Sequence, residues 1–313
     1  MKLVILTKSP EGNFLSGEVF KIAVKSLVKF LFGQKRGPRV VMESLLRGLR
    51  ELNYSFLLNP SSSAIDFDDV VLVNESLAAL RWGIKAKKAG RIKKLIAGPN
   101  LVVAPTDAGG VLMDDCIDLV LVPSEWVKNF YATFKPNWEP KIQAWAAGLV
   151  IPASPSAERD LCLVYKKTVD KNLFEQIINF LSSQSIKYKV IRYGHYRRSH
   201  YFKLLTRSQC LIYLQETESQ GMALAEAWMR GVPTLVWNRG YWDYAGHYWK
   251  DEKAGAPYLS DACGMFFKDA DDFKRQWSVF KSKISGYAPR DYAIKNFSNE
   301  IAAKNFLNLA GLD

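Results

Sequence analysis

Two glutamates, Glu218 and Glu226, flank a glycine-bearing turn in the stretch "ETESQGMALAEAWMRGVPTLVW" (residues 216–237). An ionised carboxylate only accepts hydrogen bonds, and it can take two vicinal hydroxyls at once. A pair of them beside a turn therefore fits a ligand rich in hydroxyls. Residues 220–230 have the composition of a helix, which Gly231 closes and Pro233 cannot continue. Thr217 and Ser219 are of the type that caps a helix start. On that helix Met222, Ala223 and Glu226 share one face by the three-and-four spacing. A phosphate docked on the free amides of the first turn leaves Glu226 one turn away, at the distance of an attached ribose. Gly221 permits close approach of a ligand to the backbone, and Ala223, Ala225 and Ala227 keep the helix slim. The competing reading is a Glu226 that points to solvent.

The segment "ESQGMALAEAWMRGVPTLVW" resembles the E-x7-E region of retaining GT-B glycosyltransferases of family 4, with Glu218, Gly221, Glu226, Ala227, Gly231 and Pro233 in register. Gln220 stands where the family often has an aromatic residue, which bears on the sugar accepted. In the family an arginine and a lysine follow the first strand of the second domain and face the departing phosphates. The resemblance carries this role to Lys166 and Lys171 in "YKKTVDK", with Lys167 as a competitor. Lysine in place of arginine keeps the charge and loses the bidentate fork. Positive groups aimed there stabilise the charge that builds on the leaving diphosphate. The loop "YGHYRRSH" holds Arg192, His195, Arg197 and Arg198. Its counterpart in related enzymes meets the nucleobase; the other reading is a basic surface loop. "RGPRVVMESLLRGLREL" is similar to the family's first glycine loop and helix, with Gly37 and Pro38 in the loop. "IDLVLVPSEWVKNFY" resembles the strand and helix before the interdomain linker. Residues 11–36 have no family counterpart and read as an insertion.

The elements that must position these groups alternate. Apolar strand-like runs recur at residues 3–7, 54–58, 69–73, 101–104 and 119–122, with helical patterns between several of them. Alternating β and α imply parallel sheets covered by helices. "IPASPSAERD" reads as a linker, after which "LCLVY", "YKVIRY", "CLIYL" and "TLVW" begin a second β/α series. The fold class is α/β. The resemblance implies a GT-B fold of two Rossmann-like domains facing across a cleft: residues 1–150 on the acceptor side, residues 151–290 binding the nucleotide sugar, and a C-terminal helix within 291–313 packing back on the first domain. The acceptor belongs on loops after first-domain strands. There "APTDAGG" offers Asp107, either as a group at the acceptor or sugar centre or as a turn former. Asn74 and Glu75 also follow a strand.

With 313 residues, 48% of them hydrophobic, the chain can bury two ordinary cores and is not disordered. A net charge of +12 favours an anionic partner. The four scattered cysteines read as core residues, neither a disulfide framework nor a metal site. "MKLVILTKSP" is too short in its apolar part for a signal peptide, and no run reaches the length of a membrane span, so a cytoplasmic enzyme is expected. From Arg81 to Lys94 there are seven basic residues and no acidic one. Lys21, Lys25 and Lys29 form a helical stripe, read either as a face for an anionic membrane or as the solvated side of a packed helix. "DFD" (Asp66, Asp68) and "DAD" (Asp269, Asp271) match a D-x-D metal pattern, but the second sits at a helix start and reads as a cap. No catalytic metal and no cofactor are expected beyond a UDP- or GDP-linked donor substrate.

The function expected is a retaining glycosyltransferase acting on a glycan or lipid-linked acceptor. The alternatives are a basic binding module for nucleic acid or anionic lipid, and another GT-B enzyme such as a sugar-nucleotide epimerase. No nucleic-acid recognition motif is present, so nucleic acid is not expected as a partner.

Overall fold

The structure is a computed structural model that describes residues 1–11, 37–154 and 158–313. The lysine stripe of Lys21, Lys25 and Lys29 lies outside the described residues. The chain divides into two compact units, the first formed by Met1–Gly148 with Asn299–Asp313 and the second by Leu149–Ser298.

The first unit holds six parallel strands in the order β2-β1-β3-β4-β5-β6: β1 (Leu3–Leu6), β2 (Phe56–Leu58), β3 (Val70–Val73), β4 (Lys94–Ala97), β5 (Leu119–Val122) and β6 (Ile142–Ala144). β1, β3 and β5 are buried along their whole length, as expected of parallel strands covered on both faces. The fourth strand is not the run at residues 101–104. β4 uses Leu95, Ile96 and Ala97, each with no exposed surface, immediately after the stretch that reads as basic. Residues 98–106 form the loop after it.

Four of the seven basic residues from Arg81 to Lys94 pair with acids distant in sequence, Arg91 with Glu11 at 3.5 Å among them. Lys87 pairs with Asp118 at 2.6 Å, Lys88 with Asp114 at 2.6 Å and Lys93 with Asp68 at 3.8 Å. Lys94 donates to the Ala310 carbonyl at 2.5 Å.

The second unit repeats the wiring in the order β13-β10-β9-β7-β8: β7 (Leu161–Lys166), β8 (Tyr188–Arg192), β9 (Ser208–Leu214), β10 (Thr234–Trp237) and β13 (Gly264–Phe267). An antiparallel hairpin, β11 (Tyr241–Tyr244) and β12 (His247–Lys250), stands apart from this sheet. The free cysteines Cys162 and Cys210 are buried opposite one another on β7 and β9. They join Ile177, Leu181, Phe273 and Phe280 in the core under one face. The other face carries four tyrosines, described below.

The final helical pattern is two helices, Pro289–Phe297 and Asn299–Ala310, separated by an extended Ser298. The first packs in the second unit, with Phe297 6.3 Å from Trp228 between ring centres. The second packs in the first unit, against the helix Gly37–Glu51. A Cβ on Gly48 would stand 2.0 Å from the Asn299 carbonyl oxygen, so glycine lets these two helices approach.

In each sheet the strand order reverses between the unit's first and third strands. In open α/β sheets ligands bind outside the carboxyl ends of the strands at that reversal. In the second unit the reversal falls after β7 and β9.

Candidate functional site

The loops after β7 and β9 are tied together. The Lys167 amide donates to the Leu214 carbonyl at 2.9 Å, which extends the ladder past the last strand residue. The Thr168 amide donates to Gln215 Oε1 at 2.8 Å, and Gln215 Nε2 to the Thr217 carbonyl at 2.9 Å. Glu218 follows, 9% exposed. Its amide donates to the Ala254 carbonyl at 2.8 Å, which fixes the backbone. Its Oε1 accepts from Lys167 Nζ at 2.8 Å and from the Tyr213 hydroxyl at 2.6 Å.

Tyr213 is fully buried and stacks on Tyr165, with ring centres 4.8 Å apart. The Tyr165 hydroxyl accepts from Tyr196 at 2.8 Å. Burial first, and then the negative charge of Glu218, hold the Tyr213 pKa well above the phenol range. Tyr213 therefore stays a neutral donor to the carboxylate. A buried tyrosine hydroxyl needs a partner, and Glu218 is that partner.

Past Glu218 the chain turns through Gly221, whose φ of 82° is in the left-handed region open to glycine. The helix that follows is Met222–Trp228, shorter than the pattern predicts, because the Gly221 turn delays its start. The Trp228 indole N–H donates to Thr234 Oγ1 at 3.0 Å, which anchors the helix end to β10. Met222 and Ala223 are half-buried in the first turn, and the Ala223 carbonyl accepts from the Tyr201 hydroxyl at 2.8 Å.

Glu226 does not point to solvent. It is 6% exposed, and its Oε1 accepts from Arg198 Nε at 2.7 Å and from the same guanidinium's Nη2. Arg230 donates to the Glu226 carbonyl at 3.0 Å. Burial raises the Glu226 pKa, while Arg198 and then Arg230 oppose the rise.

The structure thus brings together Glu218, Glu226, Gly221, Met222 and Ala223, with Lys167 as the cation against Glu218. Lys166 and Lys171 do not join this cluster. Lys166 is the last residue of β7, and successive strand residues point to opposite faces, so its Nζ lies 3.8 Å over the Phe174 ring. Lys171 opens the helix Lys171–Ser183, with its side chain 85% exposed, and pairs with Glu175 at 3.7 Å. Arg192 ends the edge strand β8 and lines a cavity of about 450 Å³ with Lys189, His195 and His200.

In the first unit, Gly37 opens the helix Gly37–Glu51 instead of preceding it in a loop. Asp107 serves its own loop: Oδ2 accepts from the Val103 amide at 3.1 Å and the Ala104 amide at 2.9 Å, which is the turn-forming arrangement. Asn74 is buried after β3, and its Oδ1 accepts from the amides of Glu75 and Asn100. Asp269 accepts from the Asp272 amide at 2.8 Å and is a helix cap. Among the described residues no group of three or more His, Cys, Asp or Glu is placed to share a metal ion, and no helix is long and apolar enough to cross a membrane.

Two features of the site, Tyr213 and the pairing of Arg198, are not among the groups singled out in the sequence. The signal for Tyr213 was present: a tyrosine inside the buried run "CLIYL", close before Glu218, carries a hydroxyl that must find an acceptor. Arg198 stands in the basic run "YGHYRRSH", which has no local pointer to Glu226.

Two parallel α/β units with the same strand wiring, each with its order reversal at the carboxyl ends, define a GT-B fold of two Rossmann-like domains. Solved structures share it. The chain is similar to a lipopolysaccharide outer core galactosyltransferase, WaaB, in its apo form, at 12% identity over 99% of each chain and a TM-score of 0.58. It is similar to a UDP-GlcNAc 2-epimerase from Neisseria meningitidis bound to UDP-GlcNAc, at 11% identity over 100% of each chain and a TM-score of 0.50. It is also similar to a chain of the GtfA/B complex, at 11% identity over 80% of this chain and 58% of that one, with a TM-score of 0.50. No protein-family model matches the chain, and no curated protein matches it in sequence.

Proposed function

We propose that the chain is a retaining glycosyltransferase that moves a sugar from a UDP- or GDP-linked donor to a hydroxyl of a glycan or lipid-linked acceptor. One observation carries the reading: two carboxylates, each held by a cation, stand on either side of the left-handed Gly221 turn at the strand-order reversal of the second unit. In this reading Glu226 accepts from the ribose hydroxyls and Glu218 from the transferred sugar. Lys167, with one of its donors on Glu218, supplies positive charge to the leaving diphosphate. The proposal includes no metal, because Lys167 takes the part a divalent cation would play. A lipid-linked acceptor would place the enzyme on the cytoplasmic face of an anionic membrane, which co-sedimentation with anionic liposomes checks.

Calorimetric titration with UDP and with GDP, in EDTA, tests the site. One charge-assisted hydrogen bond is worth roughly 1.5–3 kcal/mol, so Glu226→Ala is expected to weaken the nucleotide about ten- to a hundredfold. Glu218→Ala is expected to leave nucleotide affinity nearly intact and to cut turnover of the sugar donor. Wild-type protein that binds neither nucleotide, or a Glu226→Ala variant that binds as well as wild type, removes the site. The similarity to an epimerase along the full chain favours a second reading, isomerisation of the nucleotide sugar. Release of free UDP from UDP-sugars separates transfer from epimerisation, in which the nucleotide stays attached in the product.

A further inference from the structure

Glu226 is engaged on one side only. Both Nε and Nη2 of Arg198 converge on Oε1, and among the described residues no hydrogen bond reaches Oε2. Arg198 is the first residue of the helix Arg198–Arg207. One turn further on, the buried Tyr201 donates to the Ala223 carbonyl at 2.8 Å, so this helix is joined to the Glu226 helix at two points. The Phe202 ring lies beside both nearby guanidinium groups, Arg198 at 5.1 Å and Arg230 at 3.6 Å. Side-chain placement around the carboxylate is therefore determined by packing as well as by charge.

We propose that Arg198 is the positioning residue for Glu226: it fixes Oε1 and supplies the facing positive charge, leaving Oε2 to accept from the ribose hydroxyls of a nucleoside diphosphate. The inference rests on the reading of Glu226 as the ribose ligand. The charged and titratable groups that face Glu226 are Arg198, Arg230, Tyr196 and Tyr201. Burial favours the protonated acid, and Arg198 is the foremost group that opposes it, ahead of Arg230. Arg230 is committed to the Glu226 backbone carbonyl and the Phe202 ring, so it does not replace Arg198 at the carboxylate.

The sign of the pH effect follows. An ionised Glu226 accepts from a ribose, whereas a protonated one has lost most of that capacity. Without Arg198 the carboxyl takes up its proton at a higher pH. Nucleotide affinity relative to wild type then falls as pH falls, by up to about tenfold per pH unit below the new pKa.

The test is calorimetric titration of the full chain with UDP or GDP, whichever wild type binds, from about pH 8 to about pH 5.5. Each variant is divided by wild type at the same pH, which cancels titration of the nucleotide's own phosphate. Arg198→Gln is expected to show a ratio that worsens toward low pH. Arg198→Lys keeps the charge and loses the fork, so its ratio is expected to be flat and several-fold below one. In a Glu226→Gln background the pH-dependent part of the Arg198→Gln effect is expected to vanish. A flat ratio for Arg198→Gln overturns charge-keeping, and Arg198→Lys equal to wild type at every pH overturns positioning. Circular dichroism establishes which variants fold, and Arg198→Lys carries the test if Arg198→Gln does not. The two layers fail differently: unaltered binding in Glu226→Ala removes the ribose reading, whereas lost binding there with a flat Arg198→Gln ratio removes this inference alone.

Discussion

Lys167→Met, measured against Lys166→Met and Lys171→Met, asks which of three lysines close in sequence is tied to the site. Lys167 and Glu218 form an ion pair at 2.8 Å with side chains 24% and 10% exposed. Removing the ammonium takes one charge-assisted hydrogen bond, roughly 1.5–3 kcal/mol, from a mostly buried carboxylate. Breaking a fully buried pair costs about 3–5 kcal/mol. Here Tyr213 still donates to Oε1 and the lysine reaches water, so a loss of about 2 kcal/mol is expected. In a domain of this size each kcal/mol moves Tm by roughly 2–4 °C, so the second unit's transition should fall by roughly 4–8 °C. Lys171, exposed and 3.7 Å from Glu175, should cost no more than about 0.5 kcal/mol. Lys166 should cost about 1 kcal/mol or less, through its contact with the Phe174 ring. Thermal and urea unfolding followed by circular dichroism read all three. Adding Glu218→Gln to Lys167→Met removes the buried negative charge and should recover about 1 kcal/mol. A Lys167→Met variant that unfolds like wild type, or a Lys171→Met variant that loses more than Lys167→Met, would rule out a stabilising tie between Lys167 and Glu218.

Gly221→Ala should destabilise by about 1–2 kcal/mol, because a side chain at a φ of 82° is strained. Its Cβ would also stand 3.2 Å from Leu224 Cδ1, so the urea midpoint should fall further than in Gly240→Ala, where φ is 78° but nothing lies within 4 Å. An equal or smaller fall would mean that Leu224 does not crowd the turn. The tyrosine cluster predicts an alkaline limit. Burial pushes the Tyr196 pKa from 10.0 up to about 12, and those of Tyr165, Tyr201 and Tyr213 rise as well. A folded pKa above the unfolded one gives stability that is full below about pH 10 and is lost as pH rises through the folded value. Tyrosinate absorbance from these residues should therefore appear only together with unfolding; free titration near pH 10 with unchanged circular dichroism would contradict the buried cluster.

Much of the architecture was legible in residue order. Apolar runs spaced by helical patterns require parallel strands with covered faces, and β1, β3, β5, β7, β9 and β10 lie where such runs occur. The Gly221 turn and the glutamates around it were legible for a local reason, since backbone conformation and i, i+3, i+4 neighbours are properties of adjacent residues. What failed was decided by distance. β4 was hidden because "KKLIA" joins lysines to a short apolar run, and only its neighbours β3 and β5 turn that run into a central strand. The basic stretch beside it holds no acid of its own, and Asp114, Asp118 and Asp68 meet it only in space. Lys166 and Lys167 are adjacent in sequence, and the pleat of β7 decides which one reaches Glu218. The last helical pattern divides at Ser298 because its two halves pack into different units. The ion pair between Arg198 and Glu226 joins residues 28 apart in sequence, on two different helices. Residue order determined which groups could do chemistry and which local turns would hold them. The partner of each buried charge was set by which helix lies against which, and that is a property of the packed fold alone.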